Sequence, residues 1–127
     1  MKYMLHMNVP GGPYQMPGWS PDDIKRMVAF MHELNRDLKD KGRLVTAEGL
    51  VGPDQTRIVK ADDEGRPVVT DGPFAESKEF IAGFWIVEVK DAAEAYQLAA
   101  EISTCPGPGG KPLNMPIEVR AVGSAPA

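Results

Sequence analysis

Between residues 71 and 79 the chain reads Asp71-Gly-Pro-Phe-Ala-Glu-Ser-Lys-Glu79, with four ionisable side chains, Asp71, Glu76, Lys78 and Glu79, in nine residues. Carboxylates and an amine set beside an apolar strand can have their pKa values moved toward the working pH by burial and by one another, as general acid–base catalysis requires. Asp71 is the candidate base or orienter, assisted by Glu76 and Lys78. The competing role is structural: Asp71 fixes the turn, and Lys78 pairs with Glu76 or Glu79. His6 adds an imidazole in mid-strand, available as a base or ligand, or else as a satisfied core histidine. Pro73, Phe74, Glu79, Phe84 and Trp85 are the candidate substrate-binding residues, with Phe74, Phe84 and Trp85 shaping an apolar pocket.

Other chemical signals carry less. His6 and His32 have no local His or Cys partner, so no metal site is expected, and nothing calls for a cofactor. His32 falls on the flank of a helical apolar stripe. Cys105 has no neighbouring base to activate it. Pro106-Gly-Pro-Gly-Gly-Lys111 has the look of a phosphate loop but follows a helix and precedes a strand, the reverse of what a helix dipole needs, and reads as a connection. Asp62-Asp63-Glu64-Gly65 is short for a calcium loop and reads as a solvated hairpin tip.

The elements that must position these residues follow from periodicity. Tyr3, Leu5, Met7 and Val9 alternate with Lys2, Met4, His6 and Asn8 in a first strand. A Pro/Gly-rich connection over residues 10–18 is long enough for a lid. Ser20-Pro21-Asp22-Asp23 opens a helix whose stripe runs Ile24, Met27, Val28, Met31, Leu34 and Leu38, ending at Lys39, Lys41 and Gly42. Residues 43–50 read as a strand, and 56–60 with 67–70 as a hairpin. Residues 80–89 are apolar on both faces, with Phe80, Ala82, Phe84 and Ile86 on one and Ile81, Trp85, Val87 and Val89 on the other. Asp91 then caps a small-residue helix with a stripe of Ala92, Ala95, Tyr96, Ala99 and Ile102, and Ile117, Val119 and Ala121 mark a last strand.

Strand, helix, strand with a hairpin extension, strand, helix, strand is the split β-α-β, or ferredoxin-like, order of an α+β protein. Both helices then cover one face of an antiparallel sheet. The other face carries Met4, His6 and a full apolar row, more than a soluble monomer usually exposes, which predicts two sheets packed face to face in a homodimer.

A chain of 127 residues predicts a single domain spanning 1–127 that buries roughly two thirds of its unfolded surface. Its formal charge of −4 argues against nucleic acid, which is held by clustered Lys and Arg. No segment has the roughly 18 uninterrupted apolar residues of a membrane span. No signal-peptide run develops after Met1, and the single Cys105 fits a reducing compartment, so the expected location is cytoplasmic.

The nine-residue block, together with Met1-Lys-Tyr-Met-Leu5, Gly83, Trp85 and Ile117-Glu-Val-Arg120, resembles the YCII-related family, in the branch marked by its Asp-Gly-Pro-Phe motif (DGPF). The resemblance implies a ferredoxin-like subunit in a dimeric α+β barrel, a fold shared with small isomerases and cofactor-free monooxygenases. It also implies a His and an Asp of catalytic appearance, Asp71 matching the acid. Two functions compete: isomerase-like or cofactor-free oxygenase-like proton transfer on a small organic ligand, or a non-catalytic ligand-sensing or protein-interaction module with a regulatory protein partner. The second is suggested by the family's association with alternative sigma factors.

Overall fold

The computed structural model describes residues 1–10, 18–74 and 79–124. Its elements are β1 (Lys2–Pro10), α1 (Pro21–Asp40), β2 (Leu44–Gly49), β3 (Arg57–Ala61), β4 (Pro67–Asp71), β5 (Glu79–Glu88), α2 (Ala92–Ser103) and β6 (Ile117–Ala121). Four strands form an antiparallel sheet in the order β2-β5-β1-β6, and β3 pairs with β4 in a separate two-stranded sheet. This architecture is compatible with the expected ferredoxin-like pattern, with β1 and β5 side by side in the centre. Among the described residues no helix is long and apolar enough to cross a membrane.

Both helices begin where side chains can satisfy free backbone donors. At α1 the Ser20 hydroxyl accepts from the Asp23 amide at 3.1 Å while Asp23 Oδ2 accepts from the Ser20 amide at 2.9 Å, a reciprocal capping box, with Pro21 fixing φ in the first turn. The helix stops at Gly42, whose φ of +69° a residue with a Cβ rarely adopts. At α2, Asp91 Oδ1 accepts from the Glu94 amide at 2.9 Å, and Glu94 returns a bond to the Lys90 amide at 3.0 Å.

The core lies between the helices and one sheet face. Tyr3 and Leu5 of β1, Trp85 and Val87 of β5, and Val89 just beyond it pack against Leu34 and Leu38 of α1 and Ala95, Leu98 and Ile102 of α2. The N-terminal half of the expected α1 stripe departs from this pattern: Ile24 and Val28 are each 39% exposed. The described sheet residues that pack against α1 meet only its later turns, through Phe30, Met31, Leu34 and Leu38.

The expected alternation of β5 is also corrected. The ladder runs Met4↔Ile86, His6↔Phe84 and Met7↔Gly83, then slips so that Asn8 faces Ile81, leaving Ala82 as an extra residue. Partners across an antiparallel ladder share a face, so Ile81 replaces Ala82 in the row with Phe84 and Ile86. The open face therefore carries Met4, His6 and Asn8 beside Ile86, Phe84 and Ile81, flanked by Arg120 and Glu118 of β6 and Thr46 and Glu48 of β2.

The connection after α2 is secured to α1. Gly109, in a short 3₁₀ turn, donates its amide to Asp23 Oδ1 at 3.1 Å, and Arg26 lies 3.3 Å from the same oxygen. These amide bonds, Ser20 first, hold the Asp23 carboxyl below its ordinary range. Such a depressed pKa contributes stability in full at neutral pH, lost as pH falls through the acidic range. Thermal melts from pH 7 to pH 3 are expected to fall less steeply for Asp23→Asn than for the wild type. In a separate test, Gly83→Ala places a Cβ 3.1 Å from the Glu48 carbonyl oxygen across the β2–β5 ladder. Urea unfolding should report a loss of about 1–3 kcal/mol.

Candidate functional site

The Asp-Gly-Pro-Phe turn leaves the outer hairpin. Asp71 is the last residue of β4, opposite Arg57 in the ladder, and its side chain is 95% exposed with Oδ1 3.6 Å from Arg57 Nε. It is thus a strand residue with an ion partner. Gly72 follows with its amide bonded to the Thr56 carbonyl at 3.0 Å, and a Cβ there would come within 3.1 Å of Thr56 and Ile58. The Gly72–Pro73 bond is cis. Pro73 is half-buried and Phe74 is 59% exposed. Glu76 and Lys78 lie outside the described residues, and Glu79 starts β5 with an exposed side chain.

His6 is in a different setting. It sits in the centre of the open face beside Phe84, its side chain 18% exposed, with Nε2 3.4 Å from Glu118 Oε2. The other Glu118 oxygen accepts from Asn8 Nδ2 at 2.7 Å. A carboxylate can only accept, so the contact at Nε2 calls for a hydrogen there, and the second ring nitrogen, Nδ1, needs a partner of its own. That Nδ1 is buried and, among the described residues, has no hydrogen-bond partner. A buried, unpaired imidazole nitrogen is uncommon, and a polar group on an incoming molecule would satisfy it. The other histidine, His32, is exposed on α1.

Trp85 faces the opposite way. Its indole N–H donates to Asn35 Oδ1 at 2.8 Å, beneath α1, and the ring borders a cleft of about 170 Å³ between that helix and the sheet. Phe84 and Trp85, expected to wall one pocket, both border this cleft, although alternation sends their side chains to opposite faces of β5. A broader surface depression of about 480 Å³ is lined by Arg43, Lys90 and Glu94, but it is shallow, and Arg43 and Glu94 are already paired at 2.8 Å. Among the described residues no three His, Cys, Asp or Glu side chains converge as a metal set.

Of the expected site residues, the fold brings His6 and Phe84 together on the open face and sets Trp85 behind them. Asp71 and Phe74 are in solvent at the end of the hairpin. Glu118, Asn8 and Asn35 were not singled out by sequence. Asn8 shares the His6 face by alternation, but Glu118 reaches it only through the β1–β6 register and Asn35 meets Trp85 only through helix packing.

Cys105 is fully buried, and desolvation pushes its thiol up to about 11. A thiol reagent at pH 8 is expected to leave the folded protein unmodified over hours and to label Cys105 within minutes in denaturant. Rapid labelling of the native protein would reverse this assignment.

A protein of Rhizobium meliloti (strain 1021), described only as uncharacterized, is 29% identical over 85 residues, which cover 67% of this chain and 68% of that protein. The YCII-related domain matches residues 1–106. With most of its length inside that match, and with two helices on one face of an antiparallel sheet, the chain belongs to the YCII-related family.

Proposed function

We propose that two copies of the chain pack their four-stranded sheets face to face as a dimeric α+β barrel of the Asp-Gly-Pro-Phe branch, and that a small organic molecule is held between them. The observation that carries this reading is the open face: Met4, Phe84 and Ile86, each half-buried, lie on the side away from their own helices around an imidazole whose buried Nδ1 has no partner among the described residues. Large apolar patches of this kind mark interaction surfaces. In the enclosed space His6 exchanges a proton with the substrate, oriented by Glu118, in an isomerisation or in a cofactor-free oxidation in which molecular oxygen takes the substrate's electrons. Asp71 approaches from the hairpin end, and Phe84 forms the apolar wall.

A second reading, a non-catalytic ligand-sensing or protein-docking module, draws support from Asp71, whose carboxylate is solvated and directed at Arg57. Under it the charged turn is structural, and a regulatory protein takes the place of substrate.

Two measurements separate these readings. Sedimentation at micromolar concentration is expected to give a dimer for the wild type and a monomer for Ile86→Glu. A panel of small ketones in D₂O, followed by proton NMR, is expected to reveal exchange next to the carbonyl that falls roughly 100-fold or more in His6→Gln. A monomeric wild type removes the enclosed space, and exchange unaffected by His6→Gln removes its acid–base role.

A further inference from the structure

The cleft beneath α1 lies on the opposite side of the sheet from His6, since Met7 lines it and adjacent strand residues point to opposite faces. Its origin is local. At the register slip β5 contributes Ala82 and Gly83, and β2 contributes Ala47 and Gly49, so four small residues face Met7, Met31 and Trp85 across the gap. Packed interiors leave few voids beyond the size of a water molecule, and an apolar cavity of roughly 150 Å³ is enough to take up benzene. At about 170 Å³ this cleft has that capacity. Methionine walls adapt to the shape of an occupant.

Asn35 gives the cleft a polarity. The indole N–H of Trp85 can only donate, so the Asn35 amide must turn its oxygen toward it, which leaves the NH₂ group as a pair of donors. Among the described residues no acceptor meets them. No Lys, Arg or His lines the cleft among the described residues, and Glu48 is at its edge, so an anion has no counter-charge there.

We infer that this cleft is a binding site for a small neutral molecule with a single-ring apolar body and a carbonyl oxygen, the ring against Trp85 and the two methionines and the oxygen accepting from Asn35 Nδ2. The ring and the acceptor lie on the α1 side, and the cleft also touches Phe84 and Glu48 of the strands that carry the open face.

Acetophenone and its near-isostere ethylbenzene, which lacks the acceptor, test this by titration of the ¹⁵N-labelled full chain. Acetophenone is expected to shift the Trp85 indole, the Asn35 side-chain amide and the backbone of Met7 and Met31, and to bind roughly three- to tenfold more tightly than ethylbenzene, as one neutral hydrogen bond allows. Asn35→Asp keeps an acceptor for the indole and removes the donor, so the two affinities should converge. Ala47→Leu fills the space and should abolish both. If Ala47→Leu does not fold, the Asn35→Asp ratio decides alone. No shift up to the solubility limit, shifts confined to Met4, His6 and Ile86, or a ratio unchanged in Asn35→Asp each overturn the assignment.

Discussion

The pairing of β1 with β5 is the constraint on which the other features rest. Strand residues alternate between faces, so one register decides which side chains are dried beneath the helices and which are left for another surface. Here it sends Tyr3, Leu5, Trp85 and Val87 inward and Met4, His6, Phe84 and Ile86 outward. The slip at Ala82 then does two things at once. It substitutes Ile81 into the outward row, and it puts small residues under α1 where a regular strand would have filled the space.

Polar contacts locate the elements around that pair. Asp23 belongs to the α1 cap, yet one of its oxygens also accepts from Gly109 of the loop between α2 and β6. One carboxylate thus fixes the start of one helix relative to the segment after the other. Asn35 does the same for α1 against β5 through the Trp85 indole. Both are single hydrogen-bonded joints between parts of the chain far apart in sequence, and the second borders the cleft beneath α1.

What could be read from the residues, and what could not, divides along the range of the interactions. Ser20-Pro21 and Asp91 announced the helix starts because a cap is a contact within four residues. The hairpin was legible from its tip, where Asp62 accepts from the amides of Glu64 and Arg66 and Gly65 adopts positive φ. The strand order followed from the succession of elements. The slip at Ala82 was not legible, because nothing in Ile81-Ala82-Gly83 differs from an ordinary apolar strand until its partner is known. Ile24 and Val28 kept helical spacing while losing burial, since periodicity specifies a face and not what covers it. For the site, His6 and Phe84 were visible as a face of β1 and a face of β5, whereas Glu118 and Asn35 depended on which strand and which helix came alongside. Asp71 looked like a turn residue by composition and proved to be the end of a strand.

The β3–β4 hairpin leaves a different mark on the molecule. Of its ten strand residues all but Ile58 are exposed, so its ladder bonds are flanked by solvent, and two strands alone are marginal in water. The central sheet opens only when the molecule unfolds, but this arm has little to hold it closed and will open on its own. Hydrogen exchange in the native chain should therefore proceed in two tiers, the amides of residues 57–71 losing their protons long before those of β1 and β5. Whatever meets the Asp71 carboxylate first encounters this loosely held arm.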